Sequence, residues 1–323
     1  MPGHRREASG AAETLAIAIS VGAGLFGALQ PEINSELGDR VGSGLLAALV
    51  NFAAALVGAL VMVALRPATR RNLAAVRTWP VPWWTRAAGL GGVTVVLAGV
   101  VTVGRLGVAV FSVGFFAGQL TFGLVADRVG LSPGAPRAVT RARVASVVLA
   151  LAAVVVAQLG RPWGEVSPGF VAFAVAAGAA SAVQAAGNGR ITAALRDPVA
   201  ATVQNVVVGI TALAVAVAIA GVSGSIDTPR WPSEPWLYSG GFLGVAIVLA
   251  LASATSSIGV LRTTVAMLAA QLIGAYAVDW VADGDEPTLG VVAAGALIVV
   301  AVAVVNRGRS AAAGGPATAP AGP

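Results

Sequence analysis

The chain has 323 residues, of which 57% are apolar and 11% charged, with a formal charge of +6. Soluble domains carry about 25% charged residues, so this composition excludes a soluble globular protein and points to a lipid bilayer. Cysteine is absent and His4 is the single histidine, which excludes a disulfide frame, a thiolate metal site and histidine-based catalysis.

A helical crossing of the bilayer needs roughly 20 mostly apolar residues. Taken along the chain, a polar tail at 1–13 is followed by candidate spans at 14–35, 44–65, 85–103, 108–126 and 142–159. Five more follow at 167–187, 199–221, 236–254, 259–278 and 288–305, and an Ala-, Gly- and Pro-rich stretch at 306–323 is expected to be a disordered tail. The shorter spans are expected to lean on snorkelling Arg141, Arg143, Arg307 and Arg309. Trp79, Trp83, Trp84, Trp163, Trp231, Trp236 and Trp280 lie near span ends, where an interfacial aromatic belt belongs. The run Gly22-Ala23-Gly24-Leu25-Phe26-Gly27 matches G-x-G-x-x-G. That fingerprint needs a preceding strand, and inside a span its glycines serve helix approach instead. No cofactor is therefore expected.

The two halves repeat each other at their scarcest residue types. Gln30, Asn34 and Asn51 recur as Gln184, Asn188 and Asn205 at one common spacing. Trp84, Gly92, Gly107, Gln119 and Asp127 recur as Trp236, Gly244, Gly259, Gln271 and Asp279 at another. The chain holds only six Gln and six Asn, and four of each fall in these pairs, so chance is a poor explanation and an internal duplication is the better one. The predicted fold is therefore all-α integral membrane: ten transmembrane helices as two five-helix repeats, 14–160 and 161–305. The first span has an internal repeat partner, so it is expected to be retained, not cleaved as a signal peptide.

Five spans per repeat is odd, so the second repeat enters from the opposite side and the pair has inverted topology. With the N-terminus inside, sixteen of the twenty arginines fall on inner segments and only Arg40, Arg105, Arg161 and Arg230 fall outside. The positive-inside rule then places both termini in the cytoplasm of an inner, plasma-type membrane. Because these arginines are spread over short loops, they make no nucleic-acid surface, and the expected partners are lipid and a small-molecule substrate. The sequence leaves the oligomeric state open.

Amides inside spans need partners, because lipid offers them none. Gln30, Asn34, Asn51, Ser112 and Gln119, with Gln184, Asn188, Asn205, Thr264 and Gln271, therefore face either a wet substrate path or neighbouring helices. In the first case they bind solute; in the second they are interhelical glue. Glu32, Asp127 and Asp279 are candidates for proton binding or gating. The alternative for Asp127 and Asp279 is a solvated helix end, with Arg128 beside Asp127. Arg105 and Arg262 sit near span ends, where snorkelling accounts for them.

The run Gly27-Ala28-Leu29-Gln30-Pro31-Glu32-Ile33-Asn34-Ser35-Glu36-Leu37, then Pro82-Trp83-Trp84, then Gly118-Gln119-Leu120 with Asp127-Arg128-Val129-Gly130, resembles the YdcZ-like family of proposed inner-membrane exporters in the drug/metabolite transporter superfamily. The resemblance covers 14–160 well and 167–305 more loosely, and looks like two units fused. It implies efflux of a small molecule by a non-enzymatic secondary transporter, with alternating access through a central cavity between the repeats. The superfamily's small multidrug members carry a glutamate within the first helix, where this chain has Ile19, Ser20, Val21 and Gly22. The rival readings are a non-transporting membrane scaffold or receptor subunit and, more remotely, a membrane enzyme.

Overall fold

The computed structural model describes the backbone of residues 3–133, 136, 138–157, 159, 167–284 and 288–313. It describes their side chains except at 3–12, 251–253, 255–265, 282–283 and 305–313. The first half contains α1 (Gly3–Val41), α2 (Gly44–Leu65), the short α3 (Pro67–Ala74), α4 (Gly89–Leu106), α5 (Val108–Arg128) and α6 (Arg141–Val156). The second contains α7 (Pro168–Leu195), α8 (Pro198–Val222), α9 (Gly240–Asp283) and α10 (Leu289–Ala313). Six stretches among the described residues are long and apolar enough to cross a membrane: Glu13–Val41, Gly44–Leu65, Trp83–Leu106, Val108–Arg128, Pro168–Leu195 and Pro198–Val222. Shorter apolar helical stretches cover Gly240–Ala250, Ala266–Val281 and Leu289–Val304.

Three boundaries differ from the sequence expectation. Helix α1 starts at Gly3, inside the expected polar tail, and α10 runs to Ala313, past residue 305. The two spans expected at 236–254 and 259–278 carry one unbroken helical assignment, α9. Yet Gly244 lies against the Gln30 side chain, and Gln271 lies against Gly27. A straight helix rising about 1.5 Å per residue would hold Gly244 and Gln271 roughly 40 Å apart, whereas Gly27 and Gln30 are one turn apart on α1. The chain of α9 therefore turns back between its two apolar stretches, as α4 and α5 do around Gly107, whose φ is +78°.

The contacts between the halves are reciprocal. Gln184 of α7 sits over Gly92 of α4, and its counterpart Gln30 of α1 sits over Gly244 of α9. An added Cβ at Gly178 would collide with the Phe115 carbonyl and stand 2.8 Å from the Gln119 nitrogen; at the matching Gly24 it would collide with the Met267 carbonyl and stand 2.9 Å from the Gln271 nitrogen. Gly89 meets the Asn205 carbonyl as Gly241 meets that of Asn51. Each half thus lays its first helix across the third and fourth helices of the other, backbone against backbone. Small residues are required where membrane helices approach this closely.

Loops segregate into two sets. At one end Asn72 donates to Asp197 (2.9 Å), Gln204 to the Arg86 carbonyl (2.9 Å) and Arg190 to the Leu131 carbonyl (2.6 Å). At the other, Arg40 bridges Glu36 and Glu234 (2.6 and 2.5 Å). Exposed Trp83, Trp231, Trp236 and Trp280 fit an interfacial belt. Trp79 departs from it: it is buried, and its indole N–H donates to the Asn72 carbonyl at 2.8 Å. Trp163 lies outside the described residues.

The caps repeat as well. Ser43 caps α2 through the Leu46 amide (3.4 Å), and at the matching position Asp197 caps α8 through Val199 and Ala200 (3.0 and 3.2 Å). Just before them stand two left-handed residues, Gly42 at φ +79° and Arg196 at φ +52°. Burial works against the charged form of Asp197, but hydrogen bonds from Asn72, the Ala200 amide, Thr69 and the Val199 amide outweigh it and hold the carboxyl below the usual carboxylate range. A folded-state value below the unfolded one stabilises the fold above about pH 4, and that contribution fades as the pH falls through the folded-state value.

Two outcomes follow for thermal unfolding in detergent. Arg196→Gly should raise stability by about 0.5–1 kcal/mol by relieving the left-handed strain, and Gly42→Ala should lower it by about 1 kcal/mol. Asp197→Ala should cost about 1–2 kcal/mol at neutral pH, with the gap to wild type narrowing as the pH drops below about 4.

Candidate functional site

The ten polar candidates do not form one cluster. Gln30, Asn34 and Asn51 gather around Gly240 and Gly244, with Gln30 donating to Asn51 at 3.4 Å. Gln184 lies over Gly92, while Asn205, beside Gly89, donates to Asn188 at 2.6 Å. In both places the amides join helices, and burial of Asn34, Asn51 and Asn205 is nearly complete. The Asn205 Oδ1 and the buried Ser112 Oγ find no hydrogen-bond partner among the described residues. The side chain of Thr264, the counterpart of Ser112, lies outside the described residues, as does that of Arg262.

Gln119 stands apart from these amides. It lines a cavity of about 570 Å³ between α5, α6 and α7. Leu120, Leu124, Ala182 and Ala186 make much of its wall, and Ser132 and Pro133 stand at the loop end. Gln119 donates to Ser181 of α7 at 3.3 Å. Two further helical turns along α5, Asp127 lines the same cavity and is ion-paired with Arg143 of α6. At about 1.5 Å per residue, the carboxylate and the amide mark a path roughly 12 Å deep.

Two expectations are corrected here. The sequence offers Asp127 as a proton or gating group, with a solvated helix end beside Arg128 as the alternative, and Arg143 as a snorkelling arginine. Instead both are buried, at 6% and 8% exposure, and face each other. Arg143 is held further by the Ala138 carbonyl (3.4 Å), and Ser146 donates to the Arg143 carbonyl (2.9 Å). Burying two charges is tolerable only as such a pair, because either one alone would lose its hydration without replacement. Arg143 is the functional candidate that sequence reading missed: its place at a span start signals an interface anchor equally well.

At the counterpart place in the second half both residues are tied to the other half. Gln271 is 8% exposed and donates to the Gly27 carbonyl at 3.3 Å. Asp279, also read as a solvated end or a gate, is half-buried and accepts from the Val108 and Ala109 amides of α5 at 2.7 and 3.0 Å. It therefore caps a helix of the other half, where the free N–H groups and helix dipole favour a carboxylate. Ala28, Ala98, Leu106, Val108, Phe111 and Ala275 belong to one buried apolar cluster joining α1, α4, α5 and α9. Glu32 is half-buried on α1 and does not line the described cavity.

Apolar helices in this number define a multi-pass membrane protein, with a solute-sized cavity between three of them. A family model described as "Putative inner membrane exporter, YdcZ" matches twice, over residues 15–156 and 169–305. The chain belongs to this family, as two fused units, and is a multi-pass membrane transporter of the YdcZ type. No curated protein matches it. Three solved chains do; one of them, named only "Crystal structure of protein", is 17% identical with a TM-score of 0.55, covering 93% of this chain and 99% of that one. That likeness shows a shared fold.

Removal of the Asp279 cap should be measurable. Asp279→Ala should lower the melting free energy by about 1–2 kcal/mol, and Asp279→Asn should lose much less, because an asparagine side chain also accepts from helix amides.

Proposed function

We propose that the protein exports a small molecule by alternating access between two five-helix halves of inverted topology, with ten membrane crossings in all. Six crossings are the long apolar stretches, and α6, the two arms of α9 and α10 supply the rest. Reciprocal docking of each first helix on the opposite half supports a two-fold relation in the membrane plane, an arrangement that recurs in secondary transporters. One observation carries the mechanism: the two equivalent places are in unequal states. Gln119 and Asp127 line an open cavity, while among the described residues their counterparts are tied across to the other half, Gln271 to the Gly27 carbonyl and Asp279 to the start of α5.

Exchange of those states is the transport step. In the opposite state Asp279 releases α5, the Gln271 side opens and the Gln119 side closes. The arginine bias puts the open end in the cytoplasm, so the solute loads from inside, as export requires. Drive comes from a proton or solute gradient. The solute is expected to contact Gln119 in one state and Gln271 in the other; the remaining amide pairs hold the helices between which the path runs.

Flux in proteoliposomes, with and without a pH gradient, tests this reading. Gln119→Ala should abolish transport while expression and melting temperature stay near wild type; unchanged transport would refute the assignment. Because the chain has no cysteine of its own, Arg70→Cys gives a clean topology test: labelling from the cytoplasmic side alone is expected, and labelling from outside would overturn the orientation.

A further inference from the structure

We propose that the cavity between α5, α6 and α7 takes an α-zwitterion with an aliphatic body, an amino-acid-like solute. The proposal rests on the exporter reading for the cavity's role and on the ion pair for its chemistry. Asp127 and Arg143 have side chains only 7% and 10% exposed, and both belong to the cavity wall. Ionisable groups inside membrane segments are functional-site candidates by default, and this pair closes the loop end of the cavity. Its volume of about 570 Å³ lies in the ordinary range for small-molecule sites, about 300–1,000 Å³.

The pair sets the charge rule. A solute bearing only a positive charge can satisfy Asp127, but it leaves Arg143 facing it; an anion has the reverse problem. A solute with neither charge cannot replace the pair when it inserts. A zwitterion can open the pair and rebuild both halves of it, with its carboxylate on the Arg143 guanidinium and its ammonium on the Asp127 carboxylate. No buried charge is then left uncompensated, and both new bonds are charge-assisted. Because Asp127 and Arg143 are in contact, the ligand's own charges must stand close together, as they do on a single carbon of an α-amino acid. Leu120, Leu124, Ala182 and Ala186 offer an apolar wall for the remaining chain, and Gln119 and Ser132 are the polar groups at the deep and loop ends. Among the described residues, none of the aromatics that cage lone cations lines it.

Four shape-matched probes decide the matter: leucine (zwitterion), leucinamide (cation), 4-methylpentanoate (anion) and 4-methylpentanamide (neutral). Binding to purified full-length protein is read by the concentration dependence of the melting temperature, and flux by proteoliposome counterflow. Leucine should bind at least tenfold tighter than each of the other three. Arg143→Gln should reverse the order in favour of leucinamide. The double variant Asp127→Asn with Arg143→Gln removes both charges, keeps the cavity neutral and should stay folded, yet lose the preference for leucine. Tighter or equal binding of leucinamide or 4-methylpentanoate to wild type would overturn the proposal. So would a leucine preference that survives in the double variant, or binding of none of the four. Transport of some other solute, with none of these bound, would leave the exporter reading standing and remove only the zwitterion.

Discussion

Close backbone approach between the halves is the constraint on which the rest of the molecule depends. At Gly24 and Gly178 there is no room for a side-chain carbon, because the carbonyls of Met267 and Phe115 occupy the space. In lipid, apolar surface alone does not bring helices together; association comes from tight packing and interhelical hydrogen bonds. Small residues provide the first. Amides provide the second between the halves, from Gln119 to Ser181 and from Gln271 to the Gly27 carbonyl. With α1 and α7 fixed in this way, the third and fourth helices of each half are held to the other half, and movement is left to the places where packing is looser.

That division explains why polar residues of one chemical type have different roles. Gln30 and Gln184 sit above glycines, where their amides fill contact surface. Gln119 and Gln271 sit one helix further along, and only their surroundings separate them: a cavity wall for one, the Gly27 carbonyl and a packed core for the other. Sequence identity between repeat partners thus coexists with different surroundings.

Much of the architecture was legible because duplication and hydropathy are patterns along the chain. The spans needed only length and composition, and the pairing of Gly107 with Gly259 and of Gln119 with Gln271 located corresponding helices. Charged residues were harder to read. Asp279 looked like a solvated helix end, since nothing near it in sequence hints that Val108 and Ala109 of the other half present free amides to it. Arg143 looked like an interface anchor, since a start-of-span arginine can turn either to water or inward, and the direction depends on Asp127 lying across from it. The buried Trp79 was misread for the same reason: its partner, the Asn72 carbonyl, is set by the turn after α3. Long-range partners of single polar groups leave no periodic trace.

Reciprocal docking also bears on how such a chain can be assembled in the cell. The face of α1 that carries Gly24 and Gly27 is covered by α9, and the face of α7 that carries Gly178 is covered by α5. These glycine faces are covered from the other half, although α1 also packs on α2 and α4 of its own half. A five-helix unit made alone would therefore carry the bare glycine strip of its first helix into the bilayer, where close packing against a second unit covers it. Fusion into one chain removes that search, because it supplies the second unit in fixed proportion and lets the two copies differ, as Gly42 and Arg196 do at one matched position.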